Sequence, residues 1–184
     1  MKTFIISNIL LAFLVTVPQV NGQFQAMIKK ATAETADGIK FTVWLERQSV
    51  TFEQDTVIYY KVENYSNKII YLVRQSGELL TDIDSDGFLT IMIPLPFPEG
   101  HGDYNYNFTK VAPQSKYQGQ LSYSGKKYNE ERKWSIAVDF GLVRDITGID
   151  RKLKPDEDPA PLRSQLGERI EVVGLSGLTV DVKK

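Results

Sequence analysis

Between Val57 and Phe140 apolar residues return at every second position, in short runs separated by turn formers. Ile58, Tyr60 and Val62 alternate with Tyr59, Lys61 and Glu63. Trp134, Ile136, Val138 and Phe140 alternate with Ser135, Ala137 and Asp139. A period of two places each set on one face of a pleated strand. No stretch after residue 22 shows a convincing helical period. The expectation is all-β: an immunoglobulin-like antiparallel β-sandwich of seven to nine strands, with Trp134 and the Ile/Val set of its strand in the core.

Further runs extend the pattern. Ile39, Phe41, Val43 and Leu45 alternate with Lys40, Thr42, Trp44 and Glu46, which leaves Trp44 as either a second core anchor or an exposed ring. Val50 to Glu53 reads as a short piece of strand. The turn-rich Asn64 to Asn67 is expected to join Thr56–Glu63 to Ile69–Arg74 as a hairpin. Asp84-Ser-Asp-Gly87 reads as the turn of a second hairpin, between Glu78–Ile83 and Phe88–Ile93. Pro94, Pro96 and Pro98 stop ladder formation. Gly100 to Asn107 is expected as a loop, and Phe108–Val111 and Tyr117–Tyr123 as extended runs. Arg169–Val173 and Leu178–Val182 return at the end as strands of the same sandwich.

The first 22 residues read as a secretory signal peptide. Lys2 gives the positive start, Ile9 to Val17 the apolar run, and Val20 and Gly22 the small-residue cleavage site before Gln23. The apolar run falls short of the roughly 20 residues a spanning helix needs, so no integral membrane segment is expected after cleavage. An uncleaved anchor is the alternative. With no cysteine near the cleavage zone, a lipid-anchored form is excluded. The rest divides into a flexible lead-in, 23–37, and one sandwich domain, 38–184, with a proline-rich acidic loop at 152–165 before the last strands. The expected location is secreted, or the periplasm and cell envelope.

Charge and composition narrow the partners. Of 22 Lys and Arg, Lys2 leaves with the leader, so 21 face 23 Asp and Glu. That near balance gives no electrostatic reason for a nucleic acid or anionic membrane partner. The chain has no cysteine, which removes thiol chemistry, iron–sulfur clusters and cysteine-ligated zinc. Stability in an oxidising compartment must then come from packing alone.

Two stretches together resemble a known pattern. In Val57–Asn64 (VIYYKVEN), followed by Ser66 and Lys68 to Leu72, an apolar strand ends in Asn before a small polar turn. Phe108-Thr-Lys-Val-Ala-Pro113 leads through Tyr117–Leu121 to Trp134-Ser-Ile-Ala-Val-Asp-Phe140. This is similar to bacterial immunoglobulin-like domains of the intracellular proteinase inhibitor (BsuPI-like) family, and to small sandwich domains attached to secreted peptidases. The resemblance covers about half of the chain and implies a sandwich fold and, as one possible activity, peptidase inhibition. Gln114 stands where that pattern has glycine after the proline.

Four groups of residues are candidates for chemistry. Asp82, Asp84, Asp86 and Gly87 match the first half of a calcium loop, but Ile93 stands where the bidentate Glu belongs. The competing reading is a hairpin tip. His101, the only histidine, is a solvated loop residue or the base of a triad for which no nucleophile elbow exists. Phe97, His101, Tyr104 and Tyr106 lie on an aromatic, proline-flanked stretch. They form either a protein- or carbohydrate-binding surface or a cover for the open end of the sandwich. The scattered acids Glu130-Glu131 and Asp156-Glu-Asp158 are the only support for a carboxylate hydrolase. Asn64-Tyr-Ser66 and Asn107-Phe-Thr109 fit the N-glycosylation pattern. The preferred expectation is an exported, non-enzymatic binding or accessory domain. A peptidase inhibitor comes second and a hydrolase third.

Overall fold

The computed structural model describes residues 29–75, 80–83, 88–93, 106–128, 130–151, 154, 157–158 and 160–184. Eleven strands lie among the described residues: β1 (Lys30–Glu34), β2 (Ile39–Leu45), β3 (Ser49–Thr51), β4 (Thr56–Asn64), β5 (Ile70–Gln75), β6 (Leu80–Ile83), β7 (Phe88–Ile93), β8 (Tyr106–Val111), β9 (Ser115–Tyr123), β10 (Lys133–Val143) and β11 (Glu171–Lys183). They form a four-stranded sheet, β1-β2-β4-β9, and a seven-stranded sheet. The path of the larger sheet is β3-β11-β10-β5-β8. Along its free side β10 takes β7 and then β5, and β6 pairs with β7. The all-β sandwich is therefore present, with more strands than the seven to nine expected. Pairing is antiparallel except for β7 with β10 and β3 with β11, which are parallel.

The period-two pattern is what closes the sandwich. Ile39, Phe41, Val43 and Leu45 of β2, with Ile58, Tyr60 and Val62 of β4, are buried on the inner face of the small sheet. Trp134, Ile136, Val138, Phe140 and Leu142 of β10 oppose them. Phe140 touches both Phe41 (centroids 5.1 Å apart) and Tyr60 (5.4 Å), so one ring from the large sheet sits against two from the small one. Gly119 of β9 leaves the space that the Tyr60 ring fills; any Cβ there meets that ring.

Several expected boundaries move. Residues 30–34, expected as part of a flexible lead-in, form edge strand β1, in register with Lys40–Trp44. Only Ala31 and Ala33 face the core from it, so the apolar signal that marks the other strands is weak here. β8 begins at Tyr106, inside the stretch expected as loop. The two expected terminal strands are one, β11. Opposite Ile136 and Val138 it carries an extra residue between Leu178 and Leu175, and Gly177 takes a positive φ of 93° there, the usual chemistry of a bulge. The helix that the sequence pattern failed to show is α1 (Ala160–Arg169), which overlaps the expected 152–165 loop. Asp158 Oδ1 accepts the Ala160 N–H at its start. Leu162 and Leu166, four apart, reach a second apolar cluster with Val73, Val143 and Ile149. Two buried leucines in ten residues make too faint a period to see.

The largest correction concerns Asn64 to Asn67. β4 lies in the small sheet and β5 in the large one, so this turn is a crossing between sheets, not a hairpin. Asn64 is fully buried at the crossing. Its Nδ2 donates to the carbonyls of Lys68 (2.8 Å), Val111 (3.1 Å) and Ala112 (3.1 Å). Its Oδ1 accepts from Ser66 N (3.1 Å) and Ser66 Oγ (2.6 Å). Beside it Gln114 adopts a left-handed φ of 54°, a strained choice for a non-glycine residue. Its Nε2 donates to the carbonyls of Tyr65 (2.7 Å) and Ser66 (3.3 Å), which ties the β8–β9 turn to the crossing.

A second tie joins the sheets. Arg144, just after β10, grips Asp37 of the β1–β2 turn through Nε (2.8 Å) and Nη2 (2.9 Å), and Nη1 donates to Glu171. The Arg144 guanidinium, helped by the Thr35 hydroxyl, holds the Asp37 carboxyl well below the usual carboxylate range.

Asn64→Leu is expected to cost about 2–4 kcal/mol, because it strands carbonyls that have no water to turn to. Urea denaturation measures it, and an unchanged midpoint would show that the amide does not hold the crossing. Arg144→Gln is expected to cost about 1 kcal/mol or less at neutral pH, since the pair is partly exposed. Because the folded Asp37 is depressed, its contribution is complete above the unfolded value of about 3.9 and fades as pH falls below it. The gap between wild type and variant should therefore narrow in acid; a gap that widens below pH about 4 contradicts the assignment.

Candidate functional site

Most residues singled out in the sequence lie beyond what is described. Asp84, Asp86, Phe97, His101 and Tyr104 fall outside the described residues. Asp82 stands on β6, paired with Thr90 of β7, so the two strands expected to form a hairpin ladder do pair antiparallel; residues 84–87 between them lie outside the described residues. Tyr106 opens β8, opposite Gln75, on the outer strand of the large sheet. The two glycosylation patterns separate: Asn107 is exposed, while Asn64 is buried with its Nδ2 fully engaged and has no room for a glycan.

Asp156 lies outside the described residues, and the described members of the acidic clusters all have structural partners. Glu130 lies 3.5 Å from Arg132, and Glu131 accepts the backbone N–H of Lys184. Glu157 pairs with Arg151, whose guanidinium lowers its carboxyl to about 2, so it stays ionised at any ordinary pH. Asp158 is occupied at the start of α1.

The outer face of the four-stranded sheet offers a more organised surface. Strand alternation turns every second side chain outward, Thr42 alone among them being buried, and the register lines these up in rows across the strands. One row is Lys30, Trp44, Tyr59 and Gln120. The next is Thr32, Thr42, Lys61 and Gln118, and the third is Glu34, Lys40, Glu63 and Lys116. Trp44 is half-buried, and its ring runs nearly parallel to that of Tyr59, with centroids 5.8 Å apart and planes at 20°. Lys30 Nζ lies over the indole, 5.5 Å from its centre. The Tyr59 hydroxyl reaches Glu46 at 3.5 Å. Trp44 is thus neither a core anchor nor a loose ring; it belongs to an aromatic pair that faces out.

The third row alternates in sign. Lys61 adds to it by pairing with Glu63 at 2.8 Å, which lowers the Glu63 carboxyl; Glu63 in turn raises the Tyr65 hydroxyl through a hydrogen bond. Tyr65 is 54% exposed, so the face continues past the end of β4 as an accessible ring.

Sequence reasoning missed this surface because neighbours across strands depend on register, and nothing in a single strand states it. The available signal was an aromatic residue on the polar side of each of two strands, Trp44 opposite the Phe41/Val43 face and Tyr59 opposite Ile58/Tyr60. No family model matches the chain, and no curated protein matches it.

Truncating Trp44 and Tyr59 to alanine, singly and together, should reveal a coupling of about 0.5–1 kcal/mol between them. Guanidinium denaturation of the four proteins gives the cycle; strictly additive losses would show that the rings do not support each other.

Proposed function

We propose that this chain is an exported, non-enzymatic binding domain and that its contact surface is the outer face of the β1-β2-β4-β9 sheet. The observation that carries this reading is the position of Trp44. Trp44 is half-buried on the outer side of its strand and stacks on Tyr59, so the pair is aromatic area that the core between the sheets does not use. Trp and Tyr are also the side chains that most often anchor contacts, since they bring large rigid area with a polar tip. Here they sit together, bordered by Lys30, Gln120 and Glu46.

Export is supported by the leader-like first 22 residues. Without cysteine, the chain's stability there would rest on packed rings and on the Asn64 and Arg144 ties. The reading as a binding domain rather than a hydrolase is supported by the way the described acidic clusters are spent on arginine and backbone partners.

The immobilised protein is expected to retain a partner from the envelope or extracellular fraction of its source. Trp44→Ala/Tyr59→Ala, with an unchanged far-ultraviolet spectrum, should lower that retention at least tenfold. Equal retention by the folded double variant would remove this face as the contact surface.

A further inference from the structure

We infer that two copies of this chain join edge to edge through β9, antiparallel across a twofold axis at Gly119, so that two four-stranded sheets become one of eight. This goes beyond the binding reading above, since it concerns the rim of the small sheet and not the rings on its outer face.

β9 ends the small sheet, and β4 is its one strand neighbour among the described residues. An edge strand directs every second pair of N–H and C=O groups away from its neighbour, which makes it a template for another strand. Native edges are commonly blunted by shortness, proline, a bulge or charge. The other described edges, β1, β3, β6 and β8, run three to six residues. β9 runs nine, in unbroken register with β4 from Ser115 to Tyr123. It has no proline and no inward charge, and its single charged residue, Lys116, stands near one end.

The core also thins toward this rim. On β4 every inward residue from Thr56 to Asn64 is buried. One strand further out, Tyr117, Gly119 and Leu121 on the same inward side are half-buried. Tyr117 packs on the Tyr60 ring and Leu121 on the core, yet each keeps part of its area in water. A further strand beside β9 covers that area.

Register selects a second copy as that strand. Antiparallel self-pairing keeps both inward sides in one layer when inward residues face inward residues. Of the registers that do so, the one centred on Gly119 uses all nine residues of β9. Tyr117 of one copy then faces Leu121 of the other, apolar against apolar. Gln118 faces Gln120 on the outer side, and each amide can both donate and accept. Lys116 faces Ser122, whose hydroxyl already donates to Asp55 at 3.0 Å. The ammonium of one copy therefore arrives beside the Asp55 carboxylate of the other, and the twofold axis makes this contact twice. No like charges face each other across the axis.

The test is sedimentation equilibrium of the full chain from micromolar to near-millimolar concentration, with far-ultraviolet spectra to confirm folding. The wild type is expected to dimerise. Gln118→Glu/Gln120→Glu sets carboxylate against carboxylate twice and should weaken the dimer at least tenfold; Gln118→Lys/Gln120→Lys should do the same. Mixing the two variants makes every facing pair opposite in sign and should restore a heterodimer. Trp44→Ala/Tyr59→Ala should dimerise like the wild type, which keeps this result apart from a failure of the binding face. A wild type that stays monomeric overturns the inference. So does a dimer that ignores both charge variants, that mixing does not restore, or that needs the two rings. If the monomeric wild type retains an envelope protein that folded Gln118→Glu/Gln120→Glu loses, the edge takes a foreign strand and self-pairing is wrong.

Discussion

Everything in this fold leans on a few rings that meet between the sheets. Phe140 of β10 packs against Phe41 of β2 and Tyr60 of β4, and Trp134 continues the same line toward Tyr128 and Tyr123. No covalent link holds the layers, since the chain has no cysteine. Burying a ring of this size is worth about 2–3 kcal/mol, and these contacts decide how far apart the sheets can lie. That spacing leaves room for the Tyr60 ring only because position 119 is glycine. The outward face inherits its order from the inward one: Trp44 and Tyr59 are aligned because Val43 and Tyr60, one residue away on each strand, are locked in register within the core.

The parts of the fold that announce themselves in the sequence are those where one face is wholly apolar. β2, β4 and β10 each bury their alternate residues, and each is visible as a period of two. β1 hides because alanine is its inward residue, and α1 because two leucines suffice to dock it. The Asn64 turn misleads for a different reason. Turn formers report that the chain reverses, but the sheet in which it continues depends on Val111 and Ala112, nearly fifty residues away. The outer face of the small sheet was legible only as an oddity, an unassigned Trp44. Its partners Lys30, Tyr59 and Gln120 come from three other strands, and no local rule brings them together.

The two ends of the small sheet are built on opposite plans. At the Asn64 end the polar groups turn inward and saturate each other, and even the strained Gln114 backbone is matched by its amide contacts. Across the outer face, Gln118 and Gln120 are exposed, while the Ser122 hydroxyl donates to Asp55 and that of Tyr59 reaches Glu46.

The placement of β11 has a consequence for how such a chain matures. This strand spans thirteen residues and joins β10 along nearly its whole length, while its final residues lie beside β3, more than a hundred positions earlier. Until residues near 180 emerge, β10 therefore has one naked edge and β3 no neighbour in its sheet. The larger sheet cannot assemble progressively behind a ribosome. It has to wait for its last strand, and its closure is of the slow, long-range kind.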